Sequence, residues 1–135
     1  MVMEDTVRKV FFAKYMGAFS IVKGSREMLS SLQYASQLLQ DPQNLVLIFP
    51  QGKLYSNFSD QISFERGLLK VVQPAAGKFQ YVLAANFIEN FQYKKPTVNI
   101  YLKSSIATVQ TVEQLQQLYQ QHYNSSKLQQ TQIVL

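Results

Sequence analysis

The run Leu45-Val46-Leu47-Ile48-Phe49, closed by Pro50-Gln51-Gly52-Lys53, constrains the fold of this chain more than any other stretch. A short apolar run with β-branched residues, stopped by Pro and Gly, predicts a buried strand that ends in a rigid turn. Asp41-Pro42 breaks the chain just upstream, and before it the spacing predicts a helix over about Arg26–Gln40 that buries Met28, Leu29, Leu32, Ala35 and Leu39. Helix, turn and buried strand in this order predict a crossover onto a parallel sheet. In such sheets ligands sit beyond the carboxyl ends of the strands. There the turn would offer backbone N–H groups and Lys53, which suit an anion such as a phosphate.

The rest of the chain is read in the same way. Asp5 can cap a first helix over about Thr6–Met16, ended by Gly17, and Ala18–Val22 is short and extended. Phe64–Gln73 predicts a short helix stopped by Pro74, and Phe79–Phe87 a second buried strand centred on Ala84 and Ala85. Tyr93–Pro96 forms a turn into Thr97–Leu102, where Val98, Ile100 and Leu102 alternate with polar neighbours as in an edge or half-buried strand. Thr111 with Gln114 fits a capping box, and Leu115, Leu118, Tyr119 and Tyr123 then line one face of a final helix. The expected architecture is a single α/β domain over residues 1–123, a small and mostly parallel sheet of three or four strands flanked by helices. A frayed, glutamine-rich tail over 124–135 completes it.

Composition narrows the chemistry. The chain carries a net charge of +5, which favours anionic partners such as nucleic acid, an anionic lipid surface or phosphorylated metabolites. Its cations are scattered, without the basic run and interleaved exposed aromatics of an RNA-binding module, so no nucleic-acid partner is expected. Cysteine is absent, which excludes disulfides, thiolate metal sites and cysteine nucleophiles. Ser20, Ser25, Ser56 and Ser63 have no plausible histidine partner, and the carboxylates are spread singly apart from Glu4-Asp5. No catalytic residue, metal site or resident cofactor is therefore assigned. The first ten residues lack the apolar core of a signal peptide and no apolar run spans a bilayer, so the expected location is the cytoplasm, with peripheral contact to the inner face of an anionic membrane.

A second block, Gly17-Ala18-Phe19-Ser20-Ile21-Val22-Lys23, lies one predicted helix upstream of Phe49–Lys53. Taken together, the two blocks resemble those of the glycerol-3-phosphate and 1-acylglycerol-3-phosphate (lysophospholipid) acyltransferase family. Gly17, Phe19 and Ile21 match a G-x-I-F-I-x-R pattern with Lys23 at the arginine position, and Phe49-Pro50-Gln51-Gly52-Lys53 is similar to F-P-E-G-T-R. Phe64-Glu65-Arg66-Gly67 also resembles the F-x-x-G stretch that follows, so the resemblance runs from about Met3 to Leu102. It implies transfer of an acyl group from a thioester, acyl-CoA or acyl carrier protein, to the hydroxyl of a glycerol-phosphate or lysophospholipid acceptor. By the same resemblance Lys23, Gly52 and Lys53 would hold the acceptor phosphate, supported by Gly17, Phe19, Ile21, Phe49, Pro50 and Gln51.

The departures from the pattern concern the chemistry. Gln51 replaces a glutamate, and Leu54 stands where an arginine is expected. Lysine cannot make arginine's bidentate fork on a phosphate. The family's catalytic histidine, separated by four residues from an aspartate, has no counterpart: the one histidine is His122, and Lys127 stands at the position of the aspartate. Two explanations stay open, a chain lacking the family's N-terminal part or a divergent, non-catalytic member. Either way the chain is expected to be inactive alone, and the rival reading is a non-catalytic module for an anionic lipid or phosphorylated ligand. An incomplete sheet would also expose apolar surface and edges, which predicts self-association.

Overall fold

In a computed structural model of the chain, residues 2–3, 20–21, 26–53, 55–56, 58–90, 93–106 and 109–130 are described. They fall into two compact units, Met1–Gly52 with Phe64–Phe79, and Lys53–Ser63 with Gln80–Leu135.

The first unit is built on helix α1, Arg26–Leu38. Its inner stripe is Leu32, Ala35 and Ser36, all buried, while Met28 and Leu39 are half-buried and Leu29 is exposed. The predicted breaker ends it: the Asp41 carboxylate accepts the Gln43 N–H at 3.0 Å, and the Asn44 side chain donates to the Leu38 carbonyl at 3.1 Å. The second bond satisfies a carbonyl that the last helical turn leaves without a partner, and the first closes the turn that leads the chain away. Helix α2, Leu69–Val72, continues 3-10 turns at Arg66–Leu68 and Gln73–Ala75, and Pro74 falls within the second of these. Leu68, Val71, Val72 and Ala75 are buried, and a Cβ on Gly67 would lie 3.7 Å from the Leu32 side chain. This small apolar core is local in sequence on each side and holds α1 against α2. Strands β1, Val2–Met3, and β2, Ser20–Ile21, pair in parallel, with Val2 opposite Ser20 and Met3 opposite Ile21. The predicted helix over Thr6–Met16 lies outside the described residues.

The expected parallel sheet of three or four strands is not what forms. Among the described residues the only extended ladder is a two-stranded antiparallel one, and the β1–β2 pair contributes two residues from each strand. The correction centres on Leu45–Phe49, which is irregular chain and not a buried strand. Leu45, Leu47 and Phe49 are 89%, 61% and 55% exposed. A short apolar run states that a segment would pack well in a sheet, but pairing requires a neighbour at ladder distance, and the run itself does not supply one.

The second unit is a hairpin and a helix. Strands β3, Tyr81–Glu89, and β4, Thr97–Ser105, pair antiparallel from Tyr81 opposite Ser105 to Glu89 opposite Thr97. Helix α3, Val112–Leu128, starts at the predicted capping box: Thr111 Oγ accepts the Gln114 N–H at 3.2 Å, and Gln114 Oε1 accepts the Thr111 N–H at 3.2 Å. It runs through Asn124, where fraying was expected, to Leu128, with Ser126 buried in the last turns. Its buried stripe of Val112, Leu115, His122, Tyr123 and Ser126 packs on the face of β3 that carries Leu83, Ala85 and Phe87. The Phe87 ring lies 5.2 Å from Tyr123 and 6.1 Å from Tyr101, the latter edge to face.

Only one face of the hairpin is covered in this way. β3 is buried on alternate residues, so Phe79–Phe87 is not a fully buried strand. On β4 the alternation is present with the opposite sense to a half-buried strand: Val98, Ile100 and Leu102 face outward, and Thr97, Asn99 and Tyr101 lie on the helix side. Hydrogen bonds join that side to α3 and its end: Asn99 donates to Gln130, Tyr101 donates to the Gln129 carbonyl, and the Tyr101 carbonyl accepts from His122.

Candidate functional site

The predicted site divides into parts that differ in how the structure places them. Gly17, Phe19 and Lys23 lie outside the described residues, and Ile21 is the second residue of β2. Phe49 is exposed, and Pro50, Gln51 and Gly52 form the turn that leaves the apolar run.

That turn is fixed within the first unit. The Glu65 N–H donates to the Pro50 carbonyl at 2.8 Å, tying the turn to the start of the Arg66–Leu68 segment. Gly52 has φ +64°, the left-handed region where a side chain is costly. A Cβ there would also lie 2.9 Å from Glu65 Oε1 and 3.0 Å from Glu65 Cγ. Two independent constraints thus require glycine at this position. The same contact places a carboxylate beside Gly52, so an anion approaching from that side meets like charge.

Lys53 begins the second unit, on the loop Lys53–Ser63. Its Nζ stands 5.0 Å from the centroid of the Tyr55 ring, within cation–π range. The Tyr55 and Ser63 hydroxyls are 2.6 Å apart, and the Ser63 N–H donates to the Tyr55 oxygen at 3.2 Å. The Ser63 hydrogen bonds, with a smaller contribution from the Lys53 charge, lower the Tyr55 hydroxyl below its ordinary value. A cation and two hydroxyls are therefore gathered on one short loop; the Ser63 N–H and one hydroxyl proton are used within it, which leaves Lys53 and the other hydroxyl as donors to an anion.

The loop is held to α3 by contacts that no local pattern announces. Gln120 accepts the Ile62 N–H at 3.0 Å and donates to the Asp60 carbonyl at 2.7 Å. Tyr123 donates to the Ser59 carbonyl at 2.7 Å, and Lys127 pairs with the Asp60 carboxylate at 2.8 Å. The partners are 58 to 67 residues apart in sequence. Gln120 lies in a glutamine-crowded helix, and composition does not distinguish it from its solvated neighbours.

His122, the one histidine, is buried at 6% exposure. Its Nε2 donates to the Tyr101 carbonyl at 3.0 Å, an acceptor that requires the proton on that nitrogen. It borders a shallow depression of about 230 Å³ shared with Tyr101, Lys103, Ser125, Ser126 and Gln129. Ser126 donates its hydroxyl proton to the His122 carbonyl at 2.8 Å, and no carboxylate lines the depression. These groups hold the helix on the hairpin and do not form a nucleophile–base pair. Among the described residues no group of three His, Asp or Glu could hold a metal ion. No helix of the described residues is long and apolar enough to cross a membrane.

The chain matches no family model, and no curated protein and no solved structure is significantly similar to it.

Proposed function

We propose that this chain is a binding module for a phosphate-bearing ligand of the lysophospholipid type, and that it does not transfer an acyl group by itself. The observation that carries the reading is the loop Lys53–Ser63, where Lys53 and one hydroxyl of the Tyr55–Ser63 pair present donors from a segment anchored on α3. Anchoring matters because an ordered donor set loses less conformational freedom on binding than a free loop would. The resemblance of Phe49–Lys53 and Gly17–Lys23 to the acyltransferase blocks supplies the ligand class, a glycerol phosphate carrying one acyl chain. An acyl thioester, from acyl-CoA or acyl carrier protein, belongs to the reaction of that family and has no assigned residue here.

The setting of the one histidine supports the non-catalytic half of the reading. A hydroxyl attacking a thioester needs its proton removed, and the one histidine of the chain is buried in the helix–hairpin packing, with no carboxylate lining the depression beside it to orient it as a base. The test is titration of the chain with a lysophosphatidate below its micelle concentration, with the matching monoacylglycerol as the neutral control. Saturable binding to the phosphate form alone is expected, weakened about fivefold by Lys53→Ala, the range of an exposed ion pair. Equal binding of both ligands removes the phosphate reading. Turnover of lysophosphatidate with an acyl thioester removes the non-catalytic one.

A further inference from the structure

The outer face of the β3–β4 hairpin is a second feature, and it points to a different kind of partner. The register places Val82 opposite Ser104, Ala84 opposite Leu102, Asn86 opposite Ile100 and Ile88 opposite Val98. Residues directly opposite one another in a ladder share a face. That face therefore carries five large apolar side chains, each more than half exposed: Val82 52%, Ile88 55%, Val98 59%, Ile100 61% and Leu102 66%. Asn86 and Ser104 are its polar members, and it bears no charge of either sign.

The charges lie at the end of the hairpin. Lys94 and Lys95 are exposed in the connection between the strands, beside Tyr93, which is 62% exposed. Glu89 is the one carboxylate of β3 and β4, and it is on the opposite face, paired with Thr97. An uncharged apolar face ending in two lysines and a tyrosine, on a chain of net charge +5, complements a surface that is apolar within and anionic at its border.

We infer that the outer face of this hairpin seats on the surface of an anionic lipid bilayer, with Val98, Ile100 and Leu102 entering the acyl boundary and Lys94 and Lys95 among the headgroups. The area argues against a second copy as the occupant. Two strands of nine residues present a face of roughly 300 Å² at strand spacing, whereas a stable protein partner needs about 800 Å² from each side. Two copies would also bring their positive charges together. A bilayer requires no shape complementarity, and its anionic headgroups attract each lysine. The inference uses no residue of the Lys53–Ser63 loop and stands without the phosphate reading.

The test is flotation of the full chain with vesicles of phosphatidylcholine containing about a third phosphatidylserine, against phosphatidylcholine alone. Binding to the anionic vesicles is expected, falling about fivefold for each of Lys94→Ala and Lys95→Ala and becoming about tenfold weaker or more for V98T/I100T/L102T. The threonines keep strand propensity at exposed positions, so the fold is retained and circular dichroism checks this. The absence of native cysteine permits a second readout independent of the triple variant. A polarity-sensitive dye on Ile100→Cys should shift to the blue on anionic vesicles, and the same dye on Lys103→Cys, from the other face, should not. Undiminished flotation of the triple variant, equal shifts at the two labels, or a solution dimer that the triple variant converts to monomer would each overturn the inference.

Discussion

Gly52 offers a direct measurement of how the turn after the apolar run is held, because Gly77 serves as its control in the same unit. Both residues have positive φ, +64° and +80°, but a Cβ on Gly77 would meet nothing within 4 Å, whereas one on Gly52 would meet Glu65 at 2.9 Å. Gly77→Ala therefore reports the backbone term alone. A left-handed L-residue costs about 1–2 kcal/mol, offset by about 0.4–1 kcal/mol from the narrower unfolded ensemble, leaving about 1 kcal/mol. Gly52→Ala bears the same cost and must also push Glu65 aside; rotating that side chain off its preferred torsion adds about 1 kcal/mol. With a urea dependence of about 2 kcal/mol per molar, the midpoints should fall by about 0.5 M for Gly77→Ala and about 1 M for Gly52→Ala. Urea denaturation followed by circular dichroism measures both. In the Glu65→Ala background, Gly52→Ala should cost no more than Gly77→Ala, which closes a double-mutant cycle on the contact. The reasoning fails if Gly52→Ala is no costlier than Gly77→Ala, or if removing Glu65 restores nothing.

Two further outcomes test the packing of each unit. Ser36 is 4% exposed on the inner stripe of α1, and among the described residues its hydroxyl has no hydrogen-bond partner, so Ser36→Ala should stabilise the chain by about 1 kcal/mol, read as a higher urea midpoint. In the second unit the Lys127 hydrogen bond and charge hold the Asp60 carboxyl below the ordinary range, while Asp60 raises Lys127 above its own. A depressed carboxyl stabilises the fold above its unfolded value, and that contribution is lost as pH falls through the folded value. The raised lysine contributes below its unfolded value and loses its share as pH rises through the folded one. Wild type should therefore lose a small increment of stability on acidification below the ordinary carboxylate range that Asp60→Asn does not lose, and high salt should shrink the difference because both groups are open to solvent. A pH dependence identical in the two proteins at low salt would refute the assignment.

Much of the local structure was legible in the chain. The stripe of Leu32 and Ala35, the stop at Asp41-Pro42 and the Thr111–Gln114 box each depend on interactions within a few residues, and each appears where the spacing predicts. Legibility ended where a partner had to come from far along the chain. The four contacts that anchor the Lys53–Ser63 loop on α3 join residues 58 to 67 positions apart, and Gln120 looks like any other glutamine of its helix. Of the candidate site, Gly52 was legible as a turn glycine because Pro-Gly punctuation is local. The Glu65 carboxylate beside it was not, because its position depends on how two segments fold back on each other.

Leu45–Phe49 and β4 mark the same boundary from two sides. By itself the sequence determined that both are apolar segments suited to extended chain, since side-chain branching and a two-residue alternation are properties of the segment. Only the tertiary structure decided whether each acquired a ladder partner and which of its faces was covered. β4 found β3 across the connection and turned Thr97, Asn99 and Tyr101 toward α3, where Asn99 and Tyr101 hydrogen-bond to Gln130 and Gln129, so that Val98, Ile100 and Leu102 face outward. Leu45–Phe49 did not become a strand. Pairing and burial belong to two surfaces at once, and a sequence specifies them one segment at a time.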